Sequence, residues 1–255
     1  MTASDDLARR AEEANLNGWP ALRQVWFDGW LLRFSQGHTR RSNSVTPFSP
    51  GARGLRDKIA YCEALYAAAG LPPIFRVPSI AEPRLDAALD ALGYAGAEDE
   101  SCVIYRDFRR RAPERVEAEL GEARPGEAWL EAQARCTGND AADRDAQRKI
   151  LDALAVPAVF AAIRAADGRL ASLAFGAVHD RMVCVNLVVT DPASRRQGLA
   201  RRAVTAVLAW AHERAGAEAA CLPVVAANAP AIALYRGLGF DTELYRYHYR
   251  RQPPP

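Results

Sequence analysis

A glycine-containing loop between a β-rich run and an amphipathic stretch is the part of this sequence best suited to chemistry. The run Met182–Val189 leads into the turn Thr190–Ser194, and the loop Arg195-Arg-Gln-Gly-Leu-Ala200 follows. A strand, a glycine loop and a helix in this order leave unpaired N–H groups at the helix N-terminus, where a phosphate can bind. Gly198 has no Cβ, so an anion can approach its backbone closely.

A helix over 198–215 is predicted because apolar residues recur there at three- and four-residue intervals, with polar residues on the opposite face. A pyrophosphate suits the start of this helix better than a single carboxylate does. The loop fits neither the dinucleotide pattern G-x-G-x-x-G nor the P-loop pattern G-x-x-x-x-G-K-S/T. Positive charge surrounds the loop on Arg195, Arg196, Arg201 and Arg202.

Residues downstream of the loop complete a family signature. Arg195, Gly198 and Ala200 fill the pattern R/Q-x-x-G-x-G/A, and Asn228 and Tyr235 lie in a later predicted helix that ends near a Gly-Phe pair. Together they resemble the acetyl-CoA site of the GNAT superfamily of N-acetyltransferases. The resemblance implies an α+β (α/β) fold, with a mixed, mostly antiparallel twisted sheet flanked by helices. It also implies acetyl-CoA as the cosubstrate and no metal.

The resemblance assigns roles to the strand and to the loop. The strand end at Leu187, Val188 and Val189 is expected to splay from its neighbour and to bind the pantetheine amides. The alternative is a plain buried strand. The turn through Pro192 is one residue longer than the usual connection. The pyrophosphate is expected on the loop residues Arg195, Arg196, Gln197, Gly198, Leu199, Ala200 and Arg201.

Tyr235 is the expected general acid, because a phenol with a pKa of about 10 can protonate a departing thiolate. The alternative is a packed aromatic residue. Asn228 is expected to cap its helix and, as in the family, to contact the cofactor. No general base is evident, so a water relay is expected. The weak candidates for a base are His38, His179, Asp180, Arg181 and Asn186.

The first half of the chain repeats part of this pattern. Leu89-Asp-Ala-Leu-Gly-Tyr94 matches Tyr235-Arg-Gly-Leu-Gly-Phe240 in register, but the first copy lacks the tyrosine. The segment Phe48–Gly54 does not fit the loop pattern. We therefore expect a degenerate GNAT-like domain at 1–112 and a catalytic GNAT domain at 113–255. The alternative for the first half is an unrelated α+β cap.

An acceptor-binding element is also expected in the first half. The polar segment Gly37–Ser44 lies between the strand-like runs Trp30–Phe34 and Arg41–Val45, which predicts a projecting hairpin loop. A guanidinium there can hold an acceptor carboxylate in a bidentate pair. The alternative is a solvated hairpin tip. The candidate residues are Arg40, Arg41 and Asn43.

The composition limits compartment and partners. The net charge is +2, and the five cysteines form no C-x-x-C pair. No apolar run reaches the length of a membrane span, and the N-terminus shows no signal peptide. We expect a cytoplasmic monomer or homodimer without a nucleic-acid or membrane partner. The run Arg109-Arg-Arg111 is expected to be a solvated linker and not a binding patch.

The sequence therefore predicts an acetyl-CoA-dependent N-acetyltransferase. Its acceptor is expected to be a primary amine of a small molecule, an amino acid or a peptide, attacking the thioester directly in a ternary complex. An acyl-CoA-binding sensor without turnover is the first alternative, and it would need only the loop and the strand. A protein lysine or N-terminal acetyltransferase is the second.

Overall fold

The structure is a computed structural model that describes residues 3–253. Its elements, in chain order, are α1 (Ala3–Asn17), β1 (Arg23–Phe27), β2 (Trp30–Phe34), β3 (Val45–Pro47), α2 (Leu55–Ala68), β4 (Ile74–Pro78), α3 (Leu85–Ala91), β5 (Glu98–Asp107), β6 (Glu119–Glu122), α4 (Glu127–Thr137), α5 (Ala141–Asp152), β7 (Ala158–Arg164), β8 (Leu170–His179), β9 (Met182–Thr190), α6 (Leu199–Ala215), β10 (Ala219–Val225), α7 (Ala229–Arg236) and β11 (Thr242–Arg251).

The chain forms two compact units, each assembled from separate stretches of sequence. The larger unit contains residues 3–20, 103–224 and 228–244, and the smaller unit contains the remainder of the described chain. The predicted domains, 1–112 and 113–255, are continuous stretches and differ from these units. The physical reason is that α1 packs in the larger unit, whereas the last residues of β11 pair in the smaller one. As divisions of the sequence, the two domains stay a prediction.

The larger unit is built on the strand order β10-β9-β8-β7-β6. Strands β6 to β9 are antiparallel neighbours, and β9 runs parallel to β10. Helix α6 packs against β7, β8 and β9, and α1 and α4 pack against β8 and β9. The helix predicted from the spacing of apolar residues is confirmed, with Val204, Val207 and Leu208 buried, but the continuous burial of residues 203–211 shows that its middle is covered on every side and has no polar face. This packing fixes the position of the loop that precedes α6.

The smaller unit has a similar arrangement with shorter elements. Strands β1, β2 and β3 are antiparallel neighbours, and β3 runs parallel to β4. Residues 247–251 of β11 add an antiparallel strand to the other side of β4. Its core is aromatic, with Trp30 and Tyr94 both edge-on to Phe75.

Most predicted elements agree with the structure, but the strand expected at Arg41–Val45 is wrong. A 3₁₀ turn covers Arg40–Ser42, and β3 begins only at Val45. The reason is local side-chain hydrogen bonding, which competes with a strand ladder. The Asn43 amide nitrogen donates to the carbonyl oxygens of His38 (2.7 Å) and Thr39 (2.9 Å).

The mixed, mostly antiparallel sheets with flanking helices confirm the predicted α+β class. None of the helices in the described part of the chain combines the length and the apolar character that a bilayer crossing requires.

Candidate functional site

Strand β9 separates from β10 and bulges at the position where ligand binding was predicted. The parallel pairing ends at Cys184 and Cys221, although β9 continues to Thr190. On the other side, the register with β8 shifts between Asn186 and Val189, and Leu187 has a φ of 48°. A bulge of this kind turns backbone groups out of the ladder. Residues 187–189 are half-buried, so they are not the plain buried strand of the alternative interpretation.

The loop between β9 and α6 has an ordered and unusual backbone. Because β9 extends through Thr190, the turn that looked one residue too long begins directly at Asp191. The Asp191 carboxylate accepts the N–H of Ala193 at 3.0 Å. Arg196 (φ 64°) and Gly198 (φ 75°) are both left-handed, and such a succession points several N–H groups in one direction. The loop is therefore shaped as an anion cradle.

The N–H groups of this cradle are free for a ligand. Within residues 3–253, the backbone N–H groups of residues 196–201 donate to no protein acceptor. An added Cβ at Gly198 would meet nothing within 4 Å, so the space beside its backbone is open. Arg195 and Arg196 are exposed and add positive charge. The predicted residues Gln197, Leu199, Ala200 and Arg201 lie in the same stretch, and the donor set fits a pyrophosphate.

Arg201 joins the two parts of the predicted signature. Its Nη1 donates to the carbonyl oxygen of Gly237 at 2.8 Å, two residues beyond Tyr235. The first turn of α6 is thereby tied to the end of α7. Sequence spacing alone gave no reason for this bond, because the two residues are 36 positions apart.

Helix α7 carries the two remaining signature residues. Asn228 is exposed and caps the helix, since its side-chain oxygen accepts the N–H of Ala231 at 3.2 Å. The capping prediction is confirmed, whereas its contact with a cofactor stays a prediction. The Tyr235 ring is buried and lies edge-on to Phe240, with ring centroids 6.1 Å apart.

The Tyr235 hydroxyl is available although its ring is buried. It forms no hydrogen bond with any residue in 3–253, and it is not among the fully enclosed polar atoms. Burial raises the pKa of Tyr235 to about 12, because the apolar surroundings disfavour the phenolate. The hydroxyl therefore stays protonated well above neutral pH, as a hydrogen-bond donor must.

The structure brings no convincing base to this site. Asp180 is bound by Arg10 at 2.7 Å, and His179 lies 3.8 Å from Glu13. The buried Asn186 donates to the carbonyl oxygen of Cys184 at 3.2 Å. Arg181 forms an ion pair with Glu218, and the carbonyl oxygen of His38 accepts a hydrogen bond from Ser42 at 2.8 Å. The water relay stays a prediction.

Two residues that position the site were missed by the sequence analysis. Ser172 is fully buried on β8, and its hydroxyl donates to the carbonyl oxygen of Val189 at 3.0 Å. Arg135 on α4 lies 3.7 Å from Asp191, the residue that caps the loop. The pair Asp191-Pro192 directly after a strand is a recognisable turn signal and could have identified the cap. No sequence pattern marks Ser172.

The three acceptor candidates lie together in the smaller unit, in a segment more folded than a solvated hairpin tip. Arg40 forms ion pairs with Glu98 and Asp99. Arg41 lies in the same 3₁₀ turn as Arg40. The Asn43 side-chain oxygen accepts two N–H groups of the loop, and its nitrogen donates to two loop carbonyls, so its amide is fully used. Acceptor binding by Arg40 and Arg41 stays a prediction.

Among the described residues, no group of three or more His, Cys, Asp or Glu side chains is placed to hold a metal ion. Cys184 and Cys221 are fully buried in the core, and all five cysteines are free.

Comparison with known proteins supports the same interpretation. A family model described as "Probable histone acetyltransferase Rv0428c C-terminal" matches residues 6–250. The Uncharacterized N-acetyltransferase YobR of Bacillus subtilis is 25% identical over 249 residues, which covers 96% of this chain and 98% of the relative. The Probable histone acetyltransferase Rv0428c of Mycobacterium tuberculosis is 34% identical over 122 residues, covering 48% of this chain and 37% of the relative.

Solved structures share the fold at low sequence identity. A GCN5-related N-acetyltransferase from Kribbella flavida has a TM-score of 0.69 at 19% identity, covering 100% of this chain and 97% of that chain. A tandem GNAT protein from the clavulanic acid biosynthesis pathway has a TM-score of 0.64 at 15% identity, covering 83% of this chain and 76% of that chain.

Proposed function

Because this chain belongs to the Rv0428c C-terminal acetyltransferase family, and so to the GNAT N-acetyltransferases, we propose that it transfers the acetyl group of acetyl-CoA to a primary amine. The proposed acceptor is a small molecule, an amino acid or a peptide. One observation carries the proposal: a cradle of free N–H groups at residues 196–201 follows a strand that has separated from its neighbour. A pyrophosphate and an extended amide chain need these two features in this order.

We assign binding of the cosubstrate to main-chain groups. The N–H groups of residues 196–201 would hold the pyrophosphate, and Arg195 and Arg196 would add charge. The half-buried backbone of Leu187, Val188 and Val189 would pair with the pantetheine amides, as a peptide adds to the edge of a sheet. Acetyl-CoA supplies an activated thioester, and the chain's task is to hold it where an amine can attack.

Tyr235 is the proposed proton donor to the leaving sulfur. Its pKa of about 12 keeps the hydroxyl protonated, but it also makes complete transfer to an ordinary thiolate, of pKa about 8.5, unfavourable in the resting site. We therefore expect the hydroxyl to act first as a hydrogen-bond donor to the charge that develops on sulfur. As the carbon–sulfur bond breaks, the amine nitrogen takes the acetyl group, and the proton that sulfur receives from Tyr235 is replaced by the one that the amine loses through ordered water.

The accessible Tyr235 hydroxyl favours an enzyme over a sensor. A protein that only binds acyl-CoA has no use for a buried phenol whose hydroxyl is free of protein partners. The loss of the amine proton is assigned to ordered water, since the side chains near the strand end offer no base.

Acetylation of protein side chains is the second candidate, and one observation favours it. The relative from Mycobacterium tuberculosis is named a probable histone acetyltransferase. The alignment with that relative covers 48% of this chain. The relative's name therefore indicates a class of acceptor to test, but it does not decide between acceptors.

A turnover screen tests both candidates. Purified protein and acetyl-CoA are incubated with amines, amino acids, short peptides and lysine-rich histone peptides, and release of free thiol is measured. We expect turnover with at least one class of amine. Binding of acetyl-CoA by calorimetry without turnover on any class would support the sensor, and absence of binding would contradict the proposal as a whole.

A further inference from the structure

A cavity of about 360 Å³ lies in the larger unit, and arginine is the most frequent residue in its lining. Its walls come from β5 and the segment after it, from the first turns of α6, and from the turn that follows α7. Five arginines line it: Arg106, Arg110, Arg111, Arg201 and Arg202. The run that was expected to be a plain solvated linker thus contributes two side chains to a cavity wall.

The carboxylates of this cavity are already neutralised. Asp107 forms an ion pair at 2.8 Å with Arg109, a residue that does not line the cavity. Glu114 forms an ion pair with Arg111. Asp241 lies 3.7 Å from Arg110. These three pairs leave Arg106, Arg201 and Arg202 to be accounted for.

The remaining three guanidinium groups have no carboxylate partner among residues 3–253. Arg106 donates to the carbonyl oxygens of Leu238 (2.7 Å) and Arg111 (3.1 Å). Arg201 donates to the carbonyl oxygen of Gly237 at 2.8 Å. Arg202 donates to a carbonyl oxygen on the segment before β6 at 3.3 Å. Carbonyl oxygens orient a guanidinium but carry no net charge, and the five arginines of the lining outnumber its three carboxylates, so the net charge around the cavity is positive.

Burying the charged Arg106 side chain costs free energy unless an anion lies close to it. This side chain is buried, with 8% of the residue exposed. Burial lowers the pKa of Arg106 and the nearby Arg111 lowers it further, whereas Glu114, which is itself paired with Arg111, opposes this shift only in part. A buried cation normally has a paired anion, because its lost hydration is otherwise only partly replaced. An anion bound in the cavity would supply the missing partner.

We propose that this cavity binds a phosphate monoester. Three guanidinium groups around one space match a dianion with several acceptor oxygens better than a carboxylate with two. The Thr205 side chain, on the cavity side of α6 and one turn beyond Arg201, offers a hydroxyl as a further donor. The volume leaves room for a sugar attached to the phosphate. The ligand is either the 3′-phosphate of coenzyme A or a separate phosphorylated molecule.

Direct binding of inorganic phosphate tests the proposal without reference to acetyl transfer. Calorimetry at pH 7.5 should show a saturable site in the wild-type protein that is still present in Gly198→Asp, where a carboxylate blocks the anion cradle at residues 196–201. Arg202→Gln removes one exposed guanidinium and should weaken binding about tenfold, the usual weight of a charge-assisted hydrogen bond. Arg106→Met should abolish binding, and a circular dichroism spectrum checks its fold. Arg115→Gln is the matched control, because Arg115 belongs to the same segment, pairs with Glu213 and does not line the cavity.

Acetyl-CoA and acetyl-3′-dephospho-CoA distinguish the two sources. If the phosphate is that of coenzyme A, removing it raises the KM of the wild-type enzyme, Arg202→Gln erases the difference, and inorganic phosphate competes with acetyl-CoA. If it belongs to another molecule, the two KM values agree and phosphate still binds at saturating acetyl-CoA. An absence of saturable phosphate binding, or equal binding by wild type and Arg202→Gln, overturns the proposal whether or not the protein transfers acetyl groups.

Discussion

The loop before α6 and the loop before α2 occupy equivalent places in the two halves of the chain. Each follows the third strand of a β-β-β-α-β-α-β series, and each begins the helix at a glycine, Gly198 or Gly54. The N–H groups after β9 are free, as described above. The N–H groups of Ala52 and Arg53, in contrast, both donate to the carboxylate of Asp28, at distances of 2.9 Å.

The difference predicts that the loop before α2 does not bind an anionic ligand. Asp28 places the chain's own negative charge where the equivalent loop would hold a ligand. The two N–H donors lower the pKa of its carboxyl group, as a bound anion requires. The first half therefore keeps the loop, but a carboxylate of the chain itself occupies the N–H groups that a ligand would need.

The turns after α3 and α7 also share their backbone conformation but differ in the side chain that the chemistry would need. Tyr94 N–H donates to Leu89 O at 3.0 Å, and Phe240 N–H donates to Tyr235 O at 3.1 Å. Gly93 and Gly239 have φ values of 78° and 87°. The backbone is the same, but a buried leucine replaces the tyrosine. This agreement supports the degenerate repeat over an unrelated cap.

The largest effect is expected from Gly198→Asp. The new carboxylate would lie against the pyrophosphate, and acetyl-CoA affinity should fall by at least about a hundredfold through charge repulsion. The fold should survive, because aspartate tolerates a left-handed backbone better than most residues. Calorimetry with wild type should give one site per chain. Gly54→Asp, the matched change in the first half, should leave affinity unchanged. A stoichiometry near two would contradict the contrast between the loops.

A smaller effect is expected from Tyr235→Phe. Loss of the hydroxyl should reduce kcat about a hundredfold, the usual weight of a general acid, with little change in acetyl-CoA affinity because the ring remains. Leu89→Met at the equivalent position should leave kcat unaltered. Steady-state kinetics on an accepted amine provides the measurement. Wild-type turnover by the Phe variant would reduce Tyr235 to a packing residue.

The pH dependence sharpens the assignment of Tyr235. The hydroxyl donates only while protonated, so its contribution is lost as pH rises through its pKa. Because that pKa is raised to about 12, kcat should not fall from this cause up to pH 10. A kcat profile from pH 7 to 10 checks this. A decrease in wild type that is absent from Tyr235→Phe would show that the phenol ionises earlier and that its burial is incomplete.

The smallest effect is expected from Asp28→Asn. The folded state lowers the pKa of Asp28, so the carboxylate stabilises the fold above its unfolded pKa of about 3.9. That contribution is lost as pH falls through the folded pKa. The variant should unfold at a lower temperature than wild type at pH 7, and the two should converge below about pH 4. A pH-independent difference would indicate lost packing instead of lost charge.

The sequence predicted those features of the structure that depend on residues close together in the chain. The helix expected at 198–215 is observed at 199–215, and Asn228 caps its helix as predicted, because periodicity and capping act within a turn or two. The bulge at Leu187 lies inside a continuous apolar run, whose pattern does not show which residue leaves the ladder. Hydrogen bonds between residues far apart in the chain were also not predictable. Asp28 accepts the N–H of Ala52, 24 residues away, and Arg106 donates to the carbonyl oxygen of Leu238, 132 residues away.

The pairing of β11 with β4 has a consequence for synthesis on the ribosome. Ser79, just after β4, donates its N–H to Arg246, and the two residues are 167 positions apart. At about 5–20 residues per second, β4 waits roughly 8 to 33 seconds for its second neighbour. Until β11 has been synthesised, the smaller unit is therefore incomplete and exposes an unpaired edge of β4. Strand β11 begins in the larger unit and ends in the smaller one, so both units depend on the synthesis of the same strand for their completion.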